Sequence, residues 1–120
     1  MIIYRISVRH HGVTPMTLFV VISSHSPDQC PMSNEKARKA YSPDPGPMMA
    51  LAKKLGVRLI VGPLVSAEHR TFAVLEAPKI EAVREFVVQT GLVQWNVNEI
   101  IHVIPQDEAL KEIELLKPIY

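Results

Sequence analysis

Cysteine occurs once in the 120 residues, at Cys30, and tryptophan once, at Trp95. A single thiol cannot close an intrachain disulfide, so cysteine usage gives no pointer to an oxidising compartment. Neither sign of charge prevails: 13 Lys and Arg face 12 Asp and Glu, for a net charge of +1. The charges also alternate along the chain, with Glu35 offsetting Lys36, Arg38 and Lys39, and Arg84 set between Glu81 and Glu85. No basic stripe with interleaved aromatics is present, which argues against nucleic acid as a partner. Apolar runs are short, as from Leu18 to Ile22, and far below the ~20 residues of a membrane-spanning helix. Arg5 and Arg9 lie within an alternating pattern rather than ahead of an apolar block, so the N-terminus does not read as a signal peptide. The expected location is cytoplasmic, without membrane contact.

What is present is an ordinary globular balance, 48 % hydrophobic and 21 % charged, at a length typical of one domain. Residues 2–8 alternate as a strand does, with Ile2, Tyr4, Ile6 and Val8 on one side. His10-His11-Gly12 to Pro15 then breaks the pattern. Residues 1–15 are therefore an N-terminal extension or an extra strand, and 16–120 the α+β domain. A strand is expected at 17–25, bounded by Pro15 and by Ser-His-Ser-Pro. Its apolar residues fall on both faces, so both sides of the sheet must be covered. Helices cover one side of so small a sheet, and a second copy of the chain is expected on the other.

Ser33-Asn34-Glu35 carries N-cap chemistry for a helix toward Tyr41. Three prolines within Ser42–Pro47 interrupt it. Met48, Leu51, Ala52 and Leu55 resume a helix that Gly56 ends. Strands follow at 57–64 and 69–77, joined through Ser66-Ala67-Glu68. Pro78 fits the first turn of the next helix, whose inner stripe is Ile80, Val83, Phe86 and Val87, with Gly91 at its end. A fourth strand is expected over 93–104. An amphipathic helix over 107–117 should turn Ala109, Leu110, Ile113 and Leu116 inward. Strand-helix-strand thus occurs twice, which right-handed crossovers fold into a ferredoxin-like β-α-β-β-α-β sheet of strand order 4-1-3-2.

The most distinctive stretch is the run of residues 19–31, FVVISSHSPDQCP. A strand leading into His-Ser/Thr-Pro-x-x-Cys-Pro, here His25-Ser26-Pro27-Asp28-Gln29-Cys30-Pro31, resembles a group of small bacterial and archaeal proteins that look like members of the dimeric α+β barrel superfamily. The tail Val103-Ile104-Pro105 followed by Glu108-Ala109-Leu110 is similar to that group as well. The resemblance implies a homodimer with sheets packed face to face and a small pocket in each subunit. The superfamily holds cofactor-free oxygenases, isomerases and haem-degrading enzymes, so no single reaction follows from it. The chain departs from several of those subfamilies, since Trp95 and Asn96 form no established catalytic pairing and prolines break the first helix.

Topology singles out one constellation. His25 ends the first strand and His69 begins the third, and antiparallel neighbours bring these ends to one edge of the sheet. Cys30 follows just before the helix near Ser33, where free N–H groups favour a thiolate. Trp95 approaches the same rim from the start of the fourth strand, and Tyr41 is a candidate for the pocket mouth. One sulfur and two imidazoles suit zinc, copper or iron. Each residue also has a plainer reading: Cys30 as a buried filler, His25 as a strand-end cap and His69 as a solvated hairpin residue. Glu76 and Glu99 read as surface or dimer-edge carboxylates, and His102 as a structural histidine.

Three functions remain open on the sequence. The first is a homodimeric pocket protein that binds a transition metal or small molecule at His25, Cys30 and His69. The second is a cofactor-independent monooxygenase or isomerase using a histidine as base. The third is a non-enzymatic thiol sensor or structural module.

Overall fold

A computed structural model describes residues 15–41 and 44–120. The strand expected at residues 2–8 lies outside the described residues, as does most of the extension 1–15. The elements in order are β1 (Thr17–Ser24), a 3-10 turn (Pro27–Gln29), α1 (Glu35–Ala40), α2 (Gly46–Leu55), β2 (Arg58–Ser66), β3 (Arg70–Ala77), α3 (Ile80–Gln89), a second 3-10 turn (Leu92–Gln94), β4 (Val97–Val103) and α4 (Gln106–Leu115). The four strands form one antiparallel sheet with the order β2-β3-β1-β4. This α+β arrangement is compatible with a ferredoxin-like fold.

β1 is central, flanked antiparallel by β3 and β4. Strand alternation divides its side chains between two faces. Phe19 and Val21 point to the helices, where they join Leu75, Ala77, Val57, Ala82, Val83 and Val87 in the buried core. Leu18, Val20, Ile22 and Ser24 point to the other face. Their cross-strand partners there include Val74, Phe72, Ile101 and Val97, so that face is also largely apolar. Val97 is 73 % exposed and Leu64, on β2, 57 %. Glu76 also belongs to this face, opposite Leu18 and Arg58. It is buried, with Arg58 Nε 3.1 Å from its Oε1, which corrects the expectation of a surface carboxylate.

Helix ends follow their local chemistry. Asn34 caps α1, its Oδ1 accepting from the Ala37 N–H at 3.0 Å. Gly56 closes α2 at φ 75°, a left-handed conformation that glycine adopts without a Cβ penalty. Gly62 interrupts β2 at φ 100°, and a Cβ there would sit 2.6 Å from the Phe72 carbonyl oxygen. The register between β2 and β3 shifts around it.

Several boundaries differ from the expected ones. α3 begins at Ile80 with Lys79 as N-cap, so Pro78 stands before the helix rather than in its first turn. Ile80 is exposed and Ala82 takes its place in the buried stripe. β4 starts at Val97, because the chain after Gly91 first makes a 3-10 turn. Leu110 and Ile113 of α4 and Leu116 just after it were expected inward, yet all three are at least half exposed. A helical period says which side of a helix is apolar, not what covers that side.

Candidate metal centre

The helix-side columns of β3, β1 and β4 run in register: Leu75, Phe19 and His102, then Ala73, Val21 and Ile100, then Thr71, Ser23 and Asn98. Their character changes along this series from apolar to polar. Ser23, itself buried, donates its hydroxyl to Asn98 Oδ1 at 2.6 Å. One step further, past the ends of the strands, the same columns present His69, His25 and Asn96. The His25 N–H donates to the His69 carbonyl at 3.1 Å, and His25 Nδ1 lies 3.0 Å from Asn96 Oδ1. The site is thus the last row of the sheet continued into its loops.

The Asn96 amide fixes the histidine tautomer. Its Nδ2 faces the Leu92 carbonyl at 3.4 Å, so the atom turned to the imidazole is the acceptor Oδ1. His25 Nδ1 therefore carries the proton and donates it, which leaves a lone pair on Nε2. That Nε2 is shut off from solvent and has no hydrogen-bond partner. The His25 ring has the His69 ring edge-on at 5.4 Å between centroids and the Trp95 ring at 5.2 Å. Tyr41 in turn meets Trp95 edge-to-face at 6.4 Å.

Cys30 completes the group from the loop after β1. It is 6 % exposed. The loop is held by its own polar side chains: Ser33 Oγ donates to the Pro27 carbonyl at 2.6 Å, Asn34 Nδ2 to the Asp28 carbonyl at 2.9 Å, and Arg38 to the carbonyls of Pro31 and Met32. The Ser26 hydroxyl donates to Asp28 and holds that carboxyl below its usual value. The N–H groups of Ser33 and Asn34 both donate to the Cys30 carbonyl, and α1 has only six residues. A backbone turn thus holds Cys30 just ahead of α1.

One donor atom each from His25, Cys30 and His69 lies within 4.8 Å of the others. Donors sharing one ion stand about 3.3–3.8 Å apart, given metal–nitrogen and metal–sulfur lengths of about 2.0–2.3 Å. The 4.8 Å limit exceeds that spacing by about an ångström. The residue missing from the sequence reading is Asn96 as the partner of His25. Its signal was the two-residue spacing to Asn98, which repeats the strand period past the end of β4.

His69 occupies a costly position. It ends the β2–β3 turn at φ 63°, a left-handed conformation that favours glycine and disfavours most other residues by roughly 1–2 kcal/mol. Its reading as a solvated hairpin residue is not met, for its ring packs on His25 and is partly buried. A cavity of about 190 Å³ lies at the opposite end of β1 among Met16, Leu18, His102, Val103, Pro105 and Glu108. His102, exposed, packs its ring against Phe19 there.

No protein-family model matches the chain, and no curated protein matches it. Among the described residues, no helix is long and apolar enough to cross a membrane.

Proposed function

We propose that the chain is a homodimeric metal-binding protein whose His25, Cys30 and His69 side chains hold a transition-metal ion. The observation that carries this reading is His25 Nε2, a buried ring nitrogen with no partner, on a residue grouped within 4.8 Å of a thiol and a second imidazole. A buried acceptor left without a partner costs roughly 1–3 kcal/mol, and a metal ion removes that cost. Ligating histidines commonly donate their other ring N–H to an oxygen acceptor, which fixes ring and tautomer; Asn96 supplies that acceptor. When bound, the ion would supply a Lewis acid or a soft ligand-exchange centre at the sheet rim. His25 and His69 serve as neutral donors, Cys30 as the thiolate, and Trp95 and Tyr41 as an apolar wall.

The dimer half of the proposal rests on the sheet face turned away from the described core helices. It carries Val20, Ile22, Phe72, Val74, Val97 and Ile101, a contiguous apolar surface of the kind that marks interaction sites. Beyond the internal pair of Arg58 and Glu76, the described residues of this face include one acid, Glu99, and one base, Arg70, at the rows of Ile22 and Ser24. Two-fold packing of identical faces can set each copy's Glu99 against the other's Arg70. Sedimentation should give a dimer, and Val97→Arg should give a folded monomer; a monomeric parent protein would sink this half.

Thermal melts of metal-stripped protein test the metal half. Zinc or copper should raise the melting temperature, and Cys30→Ser should abolish the rise. An unchanged melt with every metal would end the reading. The cofactor-independent alternative predicts that metal-free protein turns over a small organic substrate and loses that activity in His25→Ala.

A further inference from the structure

We infer that the ion this centre selects is monovalent copper, held three-coordinate by Cys30 Sγ, His25 Nε2 and one His69 nitrogen. The inference rests on the metal-binding reading above and adds the identity of the ion. Three features argue for it. The donor set is soft, one thiolate with two imidazoles, and among the described residues no carboxylate belongs to the group; thiolate ligation favours Cu(I) and zinc over the harder divalent ions. The charge balance separates those two. A thiolate with a monovalent ion is neutral, whereas with zinc the group keeps one net positive charge beside a cysteine that is 6 % exposed and half-buried rings, and an uncompensated buried charge is expensive.

Coordination number gives the third argument. Zinc takes four ligands, so a three-residue site must admit water or another donor. Here the ligating atom of His25 is closed to solvent. Asn96 holds the far nitrogen of the ring, and Trp95 and His69 pack on its sides. A three-donor site whose His25 donor atom is closed to solvent suits a closed-shell monovalent ion that is satisfied by three ligands. On binding, the Cys30 thiol loses its proton to solvent and the S–Cu bond forms, with no change in the oxidation state of copper.

The test is anaerobic competition between the protein and bicinchoninate for Cu(I), set beside zinc titration against a chromogenic chelator. Trp95 is the only tryptophan, so its fluorescence reports filling of the site directly. We expect one Cu(I) per chain, affinity at least a thousandfold above that for zinc, quenching of Trp95, and X-ray absorption showing one sulfur and two nitrogens. Ag(I), a redox-inert monovalent ion, should bind likewise. His25→Ala should drop one nitrogen from the absorption fit, and Cys30→Ser should lose the sulfur and the affinity. Zinc bound one per chain through Cys30 with affinity equal to or above that for Cu(I) would overturn this inference and leave the metal reading standing. Failure of either ion to bind in a Cys30-dependent way would overturn both.

Discussion

The two ends of β1 are built on the same register and perform opposite tasks. At its start, Phe19 and Val21 stand between Leu75 and Ala73 on β3 and His102 and Ile100 on β4. Phe19, Val21 and Leu75 are almost fully buried there, next to Val83 and Val87 of α3. At its end, the same three columns offer His69, His25 and Asn96. The first end stores stability, because apolar side chains are removed from water at about 25 cal/mol per Å². The second end holds polar atoms in fixed places, one of them buried without a partner and one residue in an unfavourable backbone conformation. Such departures from local preference concentrate at functional sites. The comparison teaches that a sheet can gather a candidate site by extending its rows one step past the hydrogen-bonded ladder.

Substitutions at the two ends should therefore separate stability from binding, and the largest effect belongs to the core. Phe19→Ala removes a side chain that is 3 % exposed and should cost about 3–5 kcal/mol in urea denaturation. Any protein that remains folded should keep its metal stoichiometry. Loss of binding at temperatures where this variant is still native would blur the division between the two ends.

A smaller effect is expected where the binding loop meets α1. Asn34 caps the helix through Oδ1 and ties the loop through Nδ2 to the Asp28 carbonyl. Asn34→Ala should lower stability by about 1 kcal/mol, the ordinary worth of such a cap. It should also weaken metal affinity several-fold, since the loop then positions Cys30 less firmly. Asn34→Asp keeps the cap and loses the Nδ2 donor, so it should restore the stability and not the affinity. Equal affinities for the parent and both variants would show that the loop bonds do not govern the site.

Much of this arrangement was legible before any coordinates. The apolar run at Leu18–Ile22, two glycine-ended helices and the hairpin between 57 and 77 define strands whose ends must meet, and antiparallel pairing alone brings His25 beside His69. The rest was not legible, for identifiable reasons. Asn96 was hidden because the 3-10 turn at Leu92–Gln94 replaces the first part of the expected strand, and its hydrogen bonds arise from a turn rather than a ladder. The buried Glu76 depends on Arg58, a neighbour across a strand pair whose register is shifted by the break at Gly62. Leu110 and Ile113 gave a clear helical period, but no property of α4 itself states what packs against it. Periodicity reads a face; only tertiary structure reads its cover.

The finest distinction lies in His69, where the two ends of the comparison meet in one residue. Its backbone at φ 63° suits glycine, which adopts that conformation without the clash between Cβ and carbonyl. A sequence shaped by stability alone would place glycine there. Against that gain, glycine enlarges the conformational freedom of the unfolded chain, and the ring contact with His25 is lost. His69→Gly should therefore leave stability unchanged or raise it by up to about 1 kcal/mol, while metal affinity falls at least a hundredfold. Denaturation and metal titration on the same preparation read both quantities. A variant that loses stability and keeps its metal would mean that the ring serves packing rather than ligation, and that the left-handed turn is held for the fold.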